Sequence, residues 1–159
     1  MNTDFEDSYH QLHSGSAEEQ ICAAKQLRQH GIAHRGGIFP RGDAKHPGEL
    51  LISKETQDNL ISLLQQTSGT LRNELLLALS NWSDDSVHQV IQEILENADT
   101  DDDWQCCILA LQTVAGEKCY TLLQEIASNE QLDSTIRDRA YIASIWVSEG
   151  GYDLLEPGL

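Results

Sequence analysis

An apolar helical stripe returns along this chain at intervals of 32 to 33 residues, and that recurrence constrains the fold more than any other feature. Leu71, Leu75, Ala78, Leu79 and Trp82 form one stripe. Trp104, Ile108, Leu111 and Ala115 form the next, and Ile136, Ala140, Ala143 and Val147 a third. A second series runs between them: Leu60, Ile61 and Leu64, then Val90, Ile91, Ile94 and Leu95, then Leu122, Leu123, Ile126 and Ala127. Positions i, i+1, i+4 and i+5 share one face of an amphipathic helix. Each repeat is therefore a pair of helices. A lone pair cannot bury its stripe, so neighbouring pairs must stack. An earlier match at Ala24, Leu27 and Gly31 extends the series towards the N-terminus.

Punctuation agrees with this division. Ser16-Ala17-Glu18-Glu19 is a capping box, and Thr70, Asp85 and Ser134 precede apolar periodicity as N-cap candidates. Gly31, Gly69, Gly116 and Gly150 stand where a helix would end on a left-handed residue. A short lead helix fits residues 4 to 13, with Phe5, Tyr9 and Leu12 on one face, and would cover the first pair. Pro157 would truncate the last helix. No run shows strand alternation beyond a few residues. The expectation is a single all-α domain over residues 1 to 159, with about eight helices in about four stacked pairs. It has a lead helix at one end and an incomplete unit at the other.

Residues 32 to 52 break the period. Gly36, Gly37, Gly42 and Gly48, with Pro40 and Pro47, deny this segment regular structure. Structureless insertions of this length inside a compact domain are uncommon and often functional. Arg35, Arg41 and Lys45 against Asp43 and Glu49 leave it at +1, whereas 5 bases and 19 acids leave residues 53 to 159 at −14.

Composition removes several function classes. Ten Lys and Arg against 26 Asp and Glu give a formal charge of −16. A duplex or an anionic membrane surface requires the opposite sign. The start Met1-Asn2-Thr3-Asp4 is polar and acidic, and no apolar run approaches the length of a membrane span. Four cysteines, two of them adjacent at 106 and 107, do not form a disulfide framework. Reduced, mostly buried thiols in a cytoplasmic protein are expected.

The phrases Leu71-Arg72…Ala78-Leu79…Asp84-Asp85-Ser86-Val87 and Asp101-Asp102-Asp103-Trp104…Ala110-Leu111 carry a helix, turn, Asp, helix rhythm. Over roughly residues 16 to 156 the chain resembles HEAT-repeat proteins, in the short-unit form of phycobilisome-lyase-type repeats. The resemblance implies a short HEAT-like helical-pair solenoid and speaks only weakly about function. Tetratricopeptide and ankyrin signatures are absent. Some HEAT-like enzymes hold iron with His-Glu dipeptides, and this chain contains none.

The residues that carry chemistry elsewhere have plainer readings here. His10 and His13 share a face of the lead helix, but no Cys or carboxylate sits at matching spacing. Asp99-Thr100-Asp101-Asp102-Asp103 has the alternation of a calcium loop, yet Trp104 and Ala110 occupy the positions that need Gly and Glu. Carboxylates at a helix start complement its dipole instead. No nucleophile elbow or phosphate loop occurs, and no pair of acids stands apart from the rest. The expectation is a protein without catalytic residues, metal or cofactor.

The acidity itself has two readings of equal weight: solubility, or a surface built for a basic partner. Asp84, Asp85, Glu93, Glu96, Asp99, Asp101, Asp102 and Asp103 recur at unit junctions, where stacking would align them on one rim. Trp104 follows three aspartates, either as core or as a partly exposed anchor. In the insertion, Arg35, Phe39 and Arg41 are candidates to reach the same partner. The concrete expectation is a bacterial immunity protein that covers the nucleic-acid channel of a toxin nuclease. In class the chain is similar to the helical immunity proteins of contact-dependent growth inhibition systems. The alternatives are a HEAT-type scaffold or bilin-lyase-like accessory factor, or a divalent-ion buffer, in each case as monomer or weak dimer.

Overall fold

A computed structural model describes residues 3–35 and 42–149. Among these the regular structure is entirely helical. It comprises α1 (Thr3–Ser14), α2 (Ala17–Arg35), α3 (Lys54–Gln65), α4 (Gly69–Trp82), a 3-10 turn (Asp85–Val87), α5 (His88–Glu96), α6 (Asp101–Val114), α7 (Gly116–Ser128) and α8 (Ser134–Ser148). No helix among the described residues is long and apolar enough to cross a membrane. The chain forms two compact units: α1 to α4 with residues 50–53, and α5 to α8 with residues 42–49. The expected truncated last unit falls at residues 150–159, outside the described residues.

In the first unit α1 lies against α2, α2 against α4, and α3 against α4. The capping box forms as read: the Glu19 amide donates to Ser16 Oγ, and the Ser16 amide donates to Glu19 Oε1, each at 3.3 Å. Phe5 of the lead helix is buried edge-on against Trp82, 4.8 Å between ring centres. The indole Nε1–H of Trp82 donates to the Leu27 carbonyl at 2.8 Å, and the Leu51 amide donates to the Trp82 carbonyl at 2.9 Å. One tryptophan thus ties the lead helix, α2 and the chain entering α3 to the end of α4.

Gly31 does not end α2. The helix continues to Arg35, so the interruption of the repeat begins four residues later than the composition suggests. The glycine sits there because α4 comes too close for a side chain. A Cβ on Gly31 would lie 2.7 Å from Cβ of Asn81. Gly69 likewise opens α4 rather than closing α3, with φ +64°. Two further caps shift by one residue. Asp84 and Asp133, not Asp85 and Ser134, accept the amides of Ser86 and Thr135, because their carboxylates reach the amide two residues on.

In the second unit α6 and α8 form one layer and α5 and α7 the other, with contacts within and across both layers. The stripe residues Ile108, Leu111, Ala115, Ile136, Ala140, Ala143 and Val147 are buried between them, as are Val90, Ile91, Ile94, Leu122, Leu123 and Ile126. Two ties fix the direction of α8 beside α6. The Gln105 side-chain oxygen accepts from the Arg139 guanidinium. The carbonyls of Val114 and Val147 accept from the amides of Gly48 and Ala44, at 2.9 and 3.1 Å. Amides four residues apart span at most about 14 Å. Antiparallel helices joined at Gln105 and Arg139 would hold those two carbonyls about 25 Å apart. The helices are therefore parallel, and their paired positions are offset by 34 and 33 residues, close to the 32 to 33 read from the sequence.

The part of the insertion described here, residues 42–49, is tied down. Besides those two bonds, the Asp43 carbonyl accepts from the Gly116 amide at 2.9 Å. The Asp43 carboxylate accepts from the amides of Lys45 and His46 at 2.8 Å. The segment thus supplies donors to carbonyls at the ends of α6 and α8.

Candidate binding surface

The densest acidic region of the second unit lies where α5 ends and α6 begins. Thr100 caps α6, accepting the Asp103 amide on Oγ1 at 3.1 Å. Asp101 and Asp102 are exposed, together with Asp99, Glu93 and Glu96. Asp103 is not. Only 9% of it is accessible, and its carboxylate faces the Asp99 amide at 3.5 Å. Of Asp101 to Asp103, expected together on a partner surface, only the first two are exposed, because Asp103 shares the inward face of α6 with Cys107, Ala110 and Val114. No ion pair among the described residues involves Glu96, Asp99, Asp101 or Asp102.

Asp84 and Asp85 have local roles. Asp84 caps the 3-10 turn by accepting the backbone amide and hydroxyl of Ser86. A carboxylate oxygen of Asp85 lies 2.6 Å from where a Cβ on Gly116 would stand, at the first residue of α7. Burial pushes the nearby Cys119 thiol up to about 12, and the negative charge of Asp85 adds to that rise. Both aspartates are half-buried, unlike the fully exposed acids of the α5–α6 junction.

Trp104 is half-buried, and beside it runs a shallow groove of about 200 Å³. Leu95 of α5, Leu122 and Ile126 of α7, and Leu132 of the turn before α8 complete its apolar lining. Glu96 stands on the α5 side and Glu125 on the α7 side. Sequence reasoning singled out Trp104 and Glu96 but missed the rest. Leu95, Leu122 and Ile126 lie on the repeat stripe and read as core. Leu132 lies outside it, in a turn.

A second missed feature is an apolar patch on α8. Tyr141 is 60% exposed and Ile142 54% exposed. Leu109 of α6, also exposed, is offset from Ile142 by the repeat step of 33. The only available signal was two large apolar residues just beyond the stripe residue Ala140.

In the first unit, Tyr9, His10 and His13 of α1, Asn59, Ser62 and Leu63 of α3, and Gln66 just after it line a wider depression of about 440 Å³. The His13 ring nitrogen Nδ1 is 2.9 Å from the Tyr9 carbonyl, and His10 lies 4.0 Å from Glu6. Among the described residues no group of three or more His, Cys, Asp or Glu is arranged to hold a metal ion. Arg35 ends α2 in the first unit and is half-buried; Phe39 and Arg41 lie outside the described residues.

Compared with protein-family models, with curated proteins and with solved structures, the chain matches none.

Proposed function

We propose that this protein is a non-enzymatic binding module that captures and neutralises a basic protein. The observation that carries the reading is the set of exposed carboxylates at the α5–α6 junction, Glu96, Asp99, Asp101 and Asp102, none of which is in an ion pair among the described residues. Residues 84 to 136 hold 12 acids and one base, Lys118, so they supply −11 of the total of −16. A net charge of about 2 to 8 suffices to keep a small domain soluble. The surplus is concentrated on one stretch of the chain, which favours recognition over solubility. Such a surface raises the rate of encounter with a positive partner and repels wrong ones.

The sharpest form of the proposal is a bacterial, cytoplasmic immunity protein on a short HEAT-like solenoid. It would inhibit a toxin nuclease by placing carboxylates where the phosphates of its substrate bind. Two features support the repeat architecture: the parallel α6 and α8, and their offset of one repeat. A scaffold or accessory role is the second reading, favoured by the apolar patch at Tyr141 and Ile142, which offers a contact that charge does not explain.

Capture from the source lysate at low salt tests the proposal, with a Glu96→Gln, Asp99→Asn, Asp101→Asn, Asp102→Asn variant beside the natural chain. The expected result is one stoichiometric basic protein, toxic when expressed alone. The variant should associate with it about tenfold more slowly at low salt, with little change in dissociation. A spread of weak, salt-labile partners, or an unchanged association rate in the variant, overturns the proposal.

A further inference from the structure

We infer that the groove beside Trp104 seats an apolar side chain projecting from a basic amphipathic helix of the partner. The inference rests on the reading that the partner is basic and says where and how it is gripped. The groove holds about 200 Å³. Small-molecule sites occupy about 300 to 1,000 Å³, so this one suits a side chain rather than a cofactor. Five of its nine lining residues are apolar, with Gln92 and Asn129 beside the two glutamates, and three of the five, Leu95, Trp104 and Leu132, are half-buried. Half-buried aromatic side chains are the usual anchors of protein interfaces.

The rim decides what kind of segment brings that side chain. Glu96 and Glu125 face the groove from α5 and α7, two different helices, and Asp101 and Asp102 lie in the first turn of the helix that carries Trp104. An acidic or neutral segment would meet these carboxylates without compensating them. A helix with an apolar residue at i and i+4 and Lys or Arg on either flank satisfies floor and rim together. Glu96 and Glu125 line the groove beside its apolar residues, so the segment that fills it meets charge and apolar surface together. The other exposed apolar patch, at Tyr141 and Ile142, follows Arg137, Asp138 and Arg139, a net of +1, and so lacks this complementarity.

The test uses the full chain and two synthetic peptides of equal length and positive charge. One is a Leu/Lys amphipathic helix and the other a Lys/Ser chain with no apolar face. Calorimetry at low salt should give the Leu/Lys peptide about thirtyfold tighter binding, at one per chain. Trp104→Ala should remove about tenfold of that advantage and leave the Lys/Ser peptide unchanged. Leu132→Ser, a milder change on the opposite wall, should remove about threefold and guards against loss of folding in the tryptophan variant. Ile142→Ser should alter neither peptide. Equal affinity for the two peptides overturns the groove while leaving an electrostatic binding surface in place. An advantage that survives Trp104→Ala, or that disappears in Ile142→Ser, overturns the groove as well. If neither peptide binds, the reading of a basic partner fails together with it.

Discussion

Gly31→Ala sets helix propensity against packing, and the structure decides which prevails. In an open helix the change would stabilise by about 0.5 to 1 kcal/mol, because glycine loses more backbone freedom on folding. Here the new methyl group would stand 2.7 Å from Cβ of Asn81, 3.0 Å from Nε1 of Trp82 and 3.3 Å from the Asn81 carbonyl. None of these can swing aside. The first and third belong rigidly to the α4 backbone. The indole is fixed by its 2.8 Å bond to the Leu27 carbonyl and by the edge of Phe5. α2 and α4 must therefore move apart, and overpacking of this kind costs about 1 to 3 kcal/mol. The net expectation is a loss of about 1 to 2 kcal/mol, or about 3 to 6 °C in Tm for a chain of this size. Thermal unfolding followed by circular dichroism measures it. Asn81→Gly removes the nearest clashing atom, so the double variant should be more stable than the sum of the single changes by at least about 0.5 kcal/mol. A Gly31→Ala protein as stable as the natural one, or additive behaviour in the double variant, would show that α4 does not press on α2 at this point.

Gly116→Ala should lower stability by at least about 2 kcal/mol in urea unfolding. It forces a side chain to φ +86° and drives it against the Asp85 carboxylate and Pro47; a change below about 0.5 kcal/mol would contradict this geometry. Partial burial pushes the Asp43 carboxyl up, but hydrogen bonds from His46 and Lys45 outweigh it and hold the group below its ordinary 3.8. A carboxyl lowered by folding stabilises above its free value and loses that contribution as pH falls through the folded one. The stability gap between the natural chain and Asp43→Asn should therefore shrink as pH drops from 6 to 3, and a constant gap would refute the link. Of the four thiols, the exposed Cys22 should react quickly with a disulfide reagent at pH 8. Cys106, Cys107 and Cys119 should wait for unfolding, and two or more fast equivalents would contradict their burial.

The fold was legible where one physical rule acts alone. The stripes at Ile108, Leu111, Ile136, Ala140 and Val147 announce helices because burial of one face at a 3.6-residue period leaves little freedom. The Ser16–Glu19 box is local chemistry and forms as written. Gly31 misled because glycine has two uses, a left-handed turn and a close approach, and only the position of α4 tells them apart. The segment from Gly42 to Glu49 lacks regular structure, as its composition implies, but its order was not legible. Its glycines and prolines exclude regular structure but not order, and the order comes from the ends of α6 and α8. Those carbonyls need donors wherever they are buried, so an irregular segment with free amides is a fitting partner for them.

The candidate surface divides along the same line. Exposed carboxylates are legible because charge alone puts Asp99, Asp101 and Asp102 in water. Asp103 has the same chemistry but lies on the face of α6 that buries Cys107, Ala110 and Val114. The groove was illegible because it is a shortage of cover rather than a property of any residue. Leu95, Leu122 and Ile126 carry the same pattern as fully enclosed stripe residues. They line the groove together with Leu132, and of the four Leu95 and Leu132 are left half-buried. Trp104 belongs to both descriptions. It opens its stripe at the helix end where the carboxylates gather, and it lines the groove beside Glu96, Glu125 and buried Leu122 and Ile126. An apolar contact made there by a basic helix would keep the charges at the rim in water, where pairing costs little desolvation, and would take its affinity from the ring. Removing the charges should therefore change the rate of arrival, and removing the ring the lifetime of the complex.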